Sequence, residues 1–213
     1  MQTILDRYLQ LLEEVDAWFN QCLELVGCSS IACSSGCTGC CRGLFDITLL
    51  DAFLLKTGFD GLENDIRKAV LAKAEDRLFR IRAEWPDFNA PFLLNYRPEA
   101  EWGMVMPDED ETPCLLLDDQ GRCLLYRFRP MTCRLHGLPL VDVSGELFNE
   151  EWCSLNFKGE DPLQMEILRW KFRQLFADEL QIFREFTEEL TGEAVNELDT
   201  LIPTALLLDF NEL

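Results

Sequence analysis

The chain has 213 residues, 48% hydrophobic and 27% charged, enough to bury a full core and outside the range of disordered compositions. Its 39 acidic against 19 basic side chains give a formal charge of -20. That charge opposes approach to phosphate backbones and anionic lipid surfaces, so neither nucleic acid nor membrane is an expected partner. The length favours a single domain over 1–213 rather than two independent ones.

The amino terminus, MQTILDRYLQLLEEVDAW, has early acidic residues and neither a continuous apolar stretch nor a small-residue cleavage site. It is not read as a signal peptide. No later apolar run is long enough to cross a bilayer. The expected compartment is the cytoplasm, where thiols stay reduced. Ten cysteines there point to metal ligation or redox chemistry before a disulfide framework.

Apolar residues recur at Ile4, Tyr8, Leu11, Val15, Trp18, Cys22 and Leu25 in steps of three and four, which predicts an amphipathic N-terminal helix over 3–26 ended by Gly27. Cys22 lies on its apolar stripe as a small buried hydrophobe. Cys28 opens a polar, glycine-containing segment running to Gly43. In DITLLDAFLLKTG, Thr48 followed by Asp51 is a capping-box pattern, Ile47 is placed to staple onto Ala52, and Gly58 is the expected stop. A further helix is predicted from about Gly61 to Glu84, on Leu62, Ile66, Ala69, Val70, Ala74, Leu78 and Ile81, halted by Trp85-Pro86. Residues 86–113 hold five prolines and the acidic run DEDE, and read as a long ordered loop.

Two short apolar runs flank Asp118-Asp119-Gln120-Gly121, the pattern of a hairpin with Cys114 and Cys123 on its arms. Pro130 sets the first turn of a short helix carrying Cys133. A second small hairpin is predicted around Ser144-Gly145, followed by Cys153. A long helix is expected from about Pro162 to Leu190, within a C-terminal helical region 162–213. The fold class is mainly α: a compact helical domain with one or two short β-hairpins and irregular loops around a cysteine-rich centre.

The stretch CSSGCTGCC packs four thiols into nine residues. With Cys22 and Cys28 set aside, eight cysteines remain: Cys33, Cys37, Cys40, Cys41, Cys114, Cys123, Cys133 and Cys153. That number supplies two closed four-sulfur sites or one shared cluster. The neighbours Cys40 and Cys41 point to opposite sides in extended backbone and mark where two centres would divide. Cys28 is a secondary ligand candidate.

Two motifs carry a family resemblance. CSSGCTGCC, and PCLLLDDQGRCLLYRFRPMTCR with its Pro-Cys start, Gly-x-Cys return, tyrosine and Arg-Pro-x-x-Cys-Arg, resemble the YkgJ-type cysteine-cluster family, described as a zinc- or iron-chelating CxxxCxxCC domain. The matching positions are Cys33, Cys37, Cys40, Cys41, Pro113, Cys114, Gly121, Cys123, Tyr126, Arg129, Pro130, Cys133 and Arg134. The motif-bearing region spans about 30–154 with Cys153 as its last ligand. The resemblance implies a chelated metal and names no activity.

Arg129 and Arg134 flank Cys133 and are expected to stabilise deprotonated thiols by charge and hydrogen bonding. His136, three residues beyond Cys133, shares a helical face with it and is a weaker ligand candidate. All-sulfur sites suit zinc, iron or an iron-sulfur cluster alike; zinc, which has no redox chemistry, is favoured slightly.

Three functions follow. The first is a metal-binding protein. The second is an iron-sulfur enzyme or electron-transfer protein. Cys33-x3-Cys37-x2-Cys40 has the spacing of radical S-adenosylmethionine enzymes, although Gly39 replaces the usual aromatic and no alternating strand-helix barrel follows. A similar array in the flagellin lysine methylase keeps methyl transfer open. The third is a metal carrier or adaptor whose acidic surface docks a basic protein. Serine-histidine hydrolysis is disfavoured, because His136 is the only histidine and no serine sits in a nucleophile elbow.

Overall fold

The computed structural model describes residues 1–107 and 109–213. Asp108, the first residue of the acidic run, lies outside the described residues. The architecture is mainly helical. Six α-helices are found among the described residues: α1 (Gln2–Val26), α2 (Leu49–Asp60), α3 (Asn64–Glu84), α4 (Met131–Leu135), α5 (Phe172–Thr191) and α6 (Ile202–Ala205). Four short strands, β1 (Asp46–Thr48), β2 (Leu140–Val141), β3 (Leu147–Asn149) and β4 (Asp199–Leu201), form two antiparallel pairs.

The stripe on α1 buries Ile4, Tyr8, Leu11, Val15, Trp18 and Cys22, whereas Leu25 at its end is 60% exposed. This face packs on α5 and α4. Thr48 caps α2, its hydroxyl accepting from Asp51 N–H at 3.1 Å. The capping box is only half made. Asp51 turns inward instead, accepting from the Tyr8 hydroxyl at 2.7 Å and the Met131 N–H at 3.1 Å. The helix runs past Gly58 to Asp60. Buried side chains from Ile4 to Leu208 join one hydrophobic cluster, which ties both ends of the chain into the same core.

The structure corrects the C-terminal region. The expected helix from Pro162 begins ten residues later, at Phe172, after two 3-10 turns at Pro162–Gln164 and Glu166–Leu168. Trp170 explains the delay. Its N–H donates to the Val141 carbonyl and its carbonyl accepts from Val143 N–H, both at 3.0 Å, while its ring stacks on Trp18. A backbone engaged with a strand edge cannot also donate along a helix. Beyond α5, β4 pairs with β1 in the register Asp46–Leu201, Ile47–Thr200 and Thr48–Asp199. The region 162–213 is therefore not uniformly helical.

The hairpin expected around Ser144-Gly145 is present as β2 and β3. Around Gly121 the chain makes the expected reversal with a single bridge, Leu117 to Cys123, and not two strands. Asp118 organises that turn: its carboxylate accepts from the Gln120 and Arg122 N–H groups at 2.9 and 2.8 Å. The loop 86–113 contains 3-10 turns at Leu94–Tyr96 and Glu99–Met104.

Candidate metal centre

Backbone contacts draw the dispersed cysteine segments together. Arg42 bridges Pro113, the Cys114 N–H donates to the Cys41 carbonyl at 2.8 Å, and Gly43 N–H donates to the Thr112 carbonyl at 2.9 Å. The Gly121 turn sits on the loop of the first array. A side chain there would come within 3.0 Å of the Thr38 methyl, at a φ of +73° that favours glycine.

A second tether brings in Cys153. Asn156, three residues beyond it and buried, donates to the Gly137 carbonyl at 2.7 Å and accepts from Ala32 N–H at 2.8 Å. Its amide nitrogen also lies 3.6 Å from Cys33 Sγ. Phe157 N–H donates to the Ser30 carbonyl at 2.6 Å. Gly137 lies between the two tethered segments: a Cβ there would stand 3.5 Å from Cys33 Sγ and 3.9 Å from the Cys153 Cβ.

Cys33, Cys37, Cys40, Cys41, Cys114, Cys123 and Cys133 all line one cavity of about 830 Å³. Cys153 stands behind its wall, beside Cys33. Two neighbourhoods emerge from the forces among the sulfurs. Burial raises the Cys33 thiol first; the Asn156 hydrogen bond opposes this, and repulsion from Cys153, Cys37 and Cys40 adds to it. Burial likewise raises Cys133, with repulsion from Cys114, Asp51, Cys123 and Cys40. Cys41 is lowered, chiefly by a hydrogen bond from Cys40, against burial and the charges of Cys114, Cys133 and Cys123. Cys40 is pushed up because it keeps the proton that it shares with Cys41. Cys33 thus keeps company with Cys37, Cys40 and Cys153, and Cys41 with Cys114, Cys123 and Cys133, while Cys40 also meets Cys41 and Cys133.

Among the described residues, no group of three or more His, Cys, Asp or Glu side chains is drawn together tightly enough to hold a metal ion. The sulfurs surround the cavity instead of closing on a point. Cys133 shows how: its accessible surface opens into the cavity, while the surrounding protein pushes its thiol up. Buried thiolates repel one another, and a cation is what would draw them inward.

The remaining predicted residues divide clearly. Cys28 is exposed and outside the cavity, and Cys22 is buried in α1 with its thiol 3.8 Å from the Ile167 carbonyl and pushed up to about 11 by burial. His136 lines the cavity edge-on to Phe45; burial lowers its pKa, partly opposed by Glu151, so the neutral ring prevails. Arg134 does not turn its nitrogens to sulfur: Nε and Nη2 donate to the Arg129 and Arg127 carbonyls at 3.0 and 2.8 Å, and Nη1 pairs with Asp16. It is a buried brace. Arg129 Nη2 donates to Asp16 at 2.6 Å and its Cζ lies 4.0 Å from the Tyr126 ring centre, yet its Nε is buried with no partner.

Sequence reasoning missed Asp16, Asn156 and Asp51 as supports of the centre. Asn156 alone had a local signal, its place in the Cys153 segment. In comparisons with known proteins, no family model, curated protein or solved structure matches the chain. The family likeness rests on the two cysteine motifs.

Proposed function

We propose that this chain binds a soft metal through cysteine thiolates, at two centres: Cys33, Cys37, Cys40 and Cys153 form one, and Cys41, Cys114, Cys123 and Cys133 the other. The observation that carries this reading is selective convergence. Seven cysteines from three distant segments line one cavity, the eighth stands beside Cys33, and Cys22 and Cys28 stay outside. Packing alone would not sort the thiols in that way. The likeness to the cysteine-cluster family supports the same conclusion.

The donor set is all sulfur, which fits tetrahedral zinc, iron or an iron-sulfur cluster. The orphaned Arg129 Nε also fits, since it leaves a buried donor free for an anionic sulfur. Zinc would supply a cross-link between the cysteine segments; iron with sulfide would supply an electron. What the chain itself does is bring the thiols together, exclude bulk water with apolar walls such as Phe19, Phe45 and Leu116, and set cations near the sulfurs.

The cavity supports a second reading, an enzyme. Its volume falls in the range of small-molecule sites, larger than two metal ions need, and much of its wall is apolar. Zinc remains the favoured metal and cargo or structural binding the favoured role. Anaerobic purification followed by metal analysis, sulfide analysis and a visible spectrum tests the proposal. Two zinc per chain without colour fits the zinc form, iron with sulfide and broad absorbance the cluster form, and absence of any metal refutes both.

A further inference from the structure

Asp16, Phe19, Asn20 and Leu23 recur at helical spacing on α1, and all four line the cavity. They form a row beside the core stripe, and the row bears no sulfur. Phe19 and Leu23 are only partly buried, as is Phe45, whose ring lies 6.0 Å from that of His136 and whose carbonyl accepts from Ile202 N–H at 3.3 Å. Phe45, His136 and Ile202 line the same cavity. Part of its 830 Å³ is thus walled by apolar side chains that a metal ion leaves uncovered.

A cation marks one end of the row. Asp16 accepts from Arg129 Nη2 at 2.6 Å and pairs with Arg134 Nη1, so two guanidiniums share one carboxylate. Asp16 is the one carboxylate paired with either arginine among the described residues. Arg134 spends its other nitrogens on two backbone carbonyls, whereas Arg129 gives Asp16 one of its five N–H groups and lays its plane on the Tyr126 ring at 4.0 Å. The other two arginines of the wall are matched one to one, Arg77 with Asp110 and Arg122 with Asp118. The formal charge of -20 does not cancel the local surplus. Exposed charges are screened beyond about 8 Å at physiological salt, while the Arg129 and Arg134 side chains are only 16% and 3% exposed. From Asp16 to Leu23 the helix rises about 10 Å, so the cation and the apolar row lie in line at the reach of one small molecule.

We infer that the cavity takes a small amphipathic carboxylate, its anionic head on Arg129 and its apolar body along Phe19 and Leu23 towards Phe45. A guanidinium offers the planar, charge-assisted hydrogen bonds that suit a carboxylate head. This goes beyond the metal reading and does not depend on it, since no residue of the row is a proposed ligand. An amphiphile without the anionic head forgoes the guanidinium, and a bare carboxylate forgoes the apolar wall.

The experiment is isothermal titration of the reduced full-length chain, purified anaerobically, with octanoate, octanol, octylamine and acetate at concentrations below micelle formation. Octanoate should bind once per chain and about tenfold tighter than octanol, through the charge-assisted contact that octanol lacks. Octylamine and acetate should bind more weakly still. Arg129→Gln should remove the difference between octanoate and octanol, and Leu23→Trp, which fills the far end, should weaken both together. Arg122→Gln, on the same wall but matched to Asp118, should leave both within about twofold of wild type. Asn20→Glu, at an exposed position in the row, should weaken octanoate and spare octanol, which keeps the test decisive should Arg129→Gln fail to fold. Equal affinities for octanoate and octanol, tightest binding of octylamine, or no binding of any probe would overturn the inference. So would an Arg129→Gln chain that still prefers octanoate. Octanoate bound by a chain devoid of metal would overturn the metal reading and leave this one standing.

Discussion

The backbone N–H of Cys114 donates to the carbonyl of Cys41 at 2.8 Å. That bond brings the first cysteine array against the start of the second. It lies one residue from the Arg42–Pro113 bridge, so two adjoining backbone links hold the junction. Irregular chain and turns lie on either side of it.

Asn156 should be the most sensitive position outside the cysteines. Asn156→Ala strips partners from the Ala32 N–H and the Gly137 carbonyl and releases Cys33 from the Cys153 segment. Each stranded buried group costs about 1–3 kcal/mol. Urea unfolding should show a loss of that order, and metal content should fall. A variant with unchanged midpoint and metal content would contradict the tether.

Cys28→Ser and Cys153→Ser give a paired test of ligand choice. Cys28 is exposed and away from the cavity, so its loss should leave bound metal unchanged. Loss of Cys153, beside Cys33, should lower it. Metal analysis of the two purified variants decides, and equal behaviour would contradict the assignment.

Much of the helical framework was legible in residue spacing, because a stripe such as Tyr8, Leu11, Val15 and Trp18 encodes its own burial. The Thr48 cap was legible for a similar local reason. What remained hidden depends on distant partners. The β1–β4 pair unites three-residue strands about 150 residues apart in the chain, too short to show a period of two. Trp170 delays α5 only because β2 lies beside it. Arg129 and Arg134 look equivalent in sequence and both reach Asp16 on α1; the Arg129 and Arg127 carbonyls tell them apart by taking the other two nitrogens of Arg134, while Nε of Arg129 stays bare.

Gly58 should tolerate no side chain. A Cβ there would lie 2.4 Å from the Phe128 ring, where α2 passes beneath the segment that leads to Cys133. Gly58→Ala forces that ring aside, a cost of about 1–3 kcal/mol by overpacking. Thermal unfolding measures it, and a neutral or stabilised variant would show that the ring yields freely.

Chelation should act locally. Much of the hydrophobic cluster comes from α1, α2, α3 and α5, which carry none of the proposed ligands, so helical circular dichroism should persist once metal is removed. Limited proteolysis should instead begin within 28–43, where the backbone is irregular. Collapse of the helical signal would mean that metal holds the whole core.

Stability should fall as pH rises from about 5 to 8, through Glu179 and Asp51. Burial is the first cause at both, raising Glu179 from its ordinary 4.5 to about 8 and Asp51 from 3.8 to about 6. The folded chain then binds more protons than the unfolded chain above the ordinary values, so stability is greatest below them and is lost as each folded carboxyl ionises. Glu179 keeps part of its surface in solvent, which softens its share. Glu179→Gln should flatten the decline in thermal unfolding measured at fixed metal load between pH 5 and 8. An unchanged slope would place the proton elsewhere.

Metal content of Cys40→Ser and Cys41→Ser, measured beside wild type under anaerobic conditions, tests the division at its narrowest point. The two positions are adjacent and their sulfurs share a hydrogen bond, but Cys40 also neighbours Cys33, whereas Cys41 neighbours Cys114, Cys123 and Cys133. Each variant should retain about half of the wild-type metal, with the surviving half differing in its sensitivity to a second change at Cys153 or Cys133. Full wild-type loading in both variants would contradict the account, and complete loss in both would replace two centres with one shared cluster.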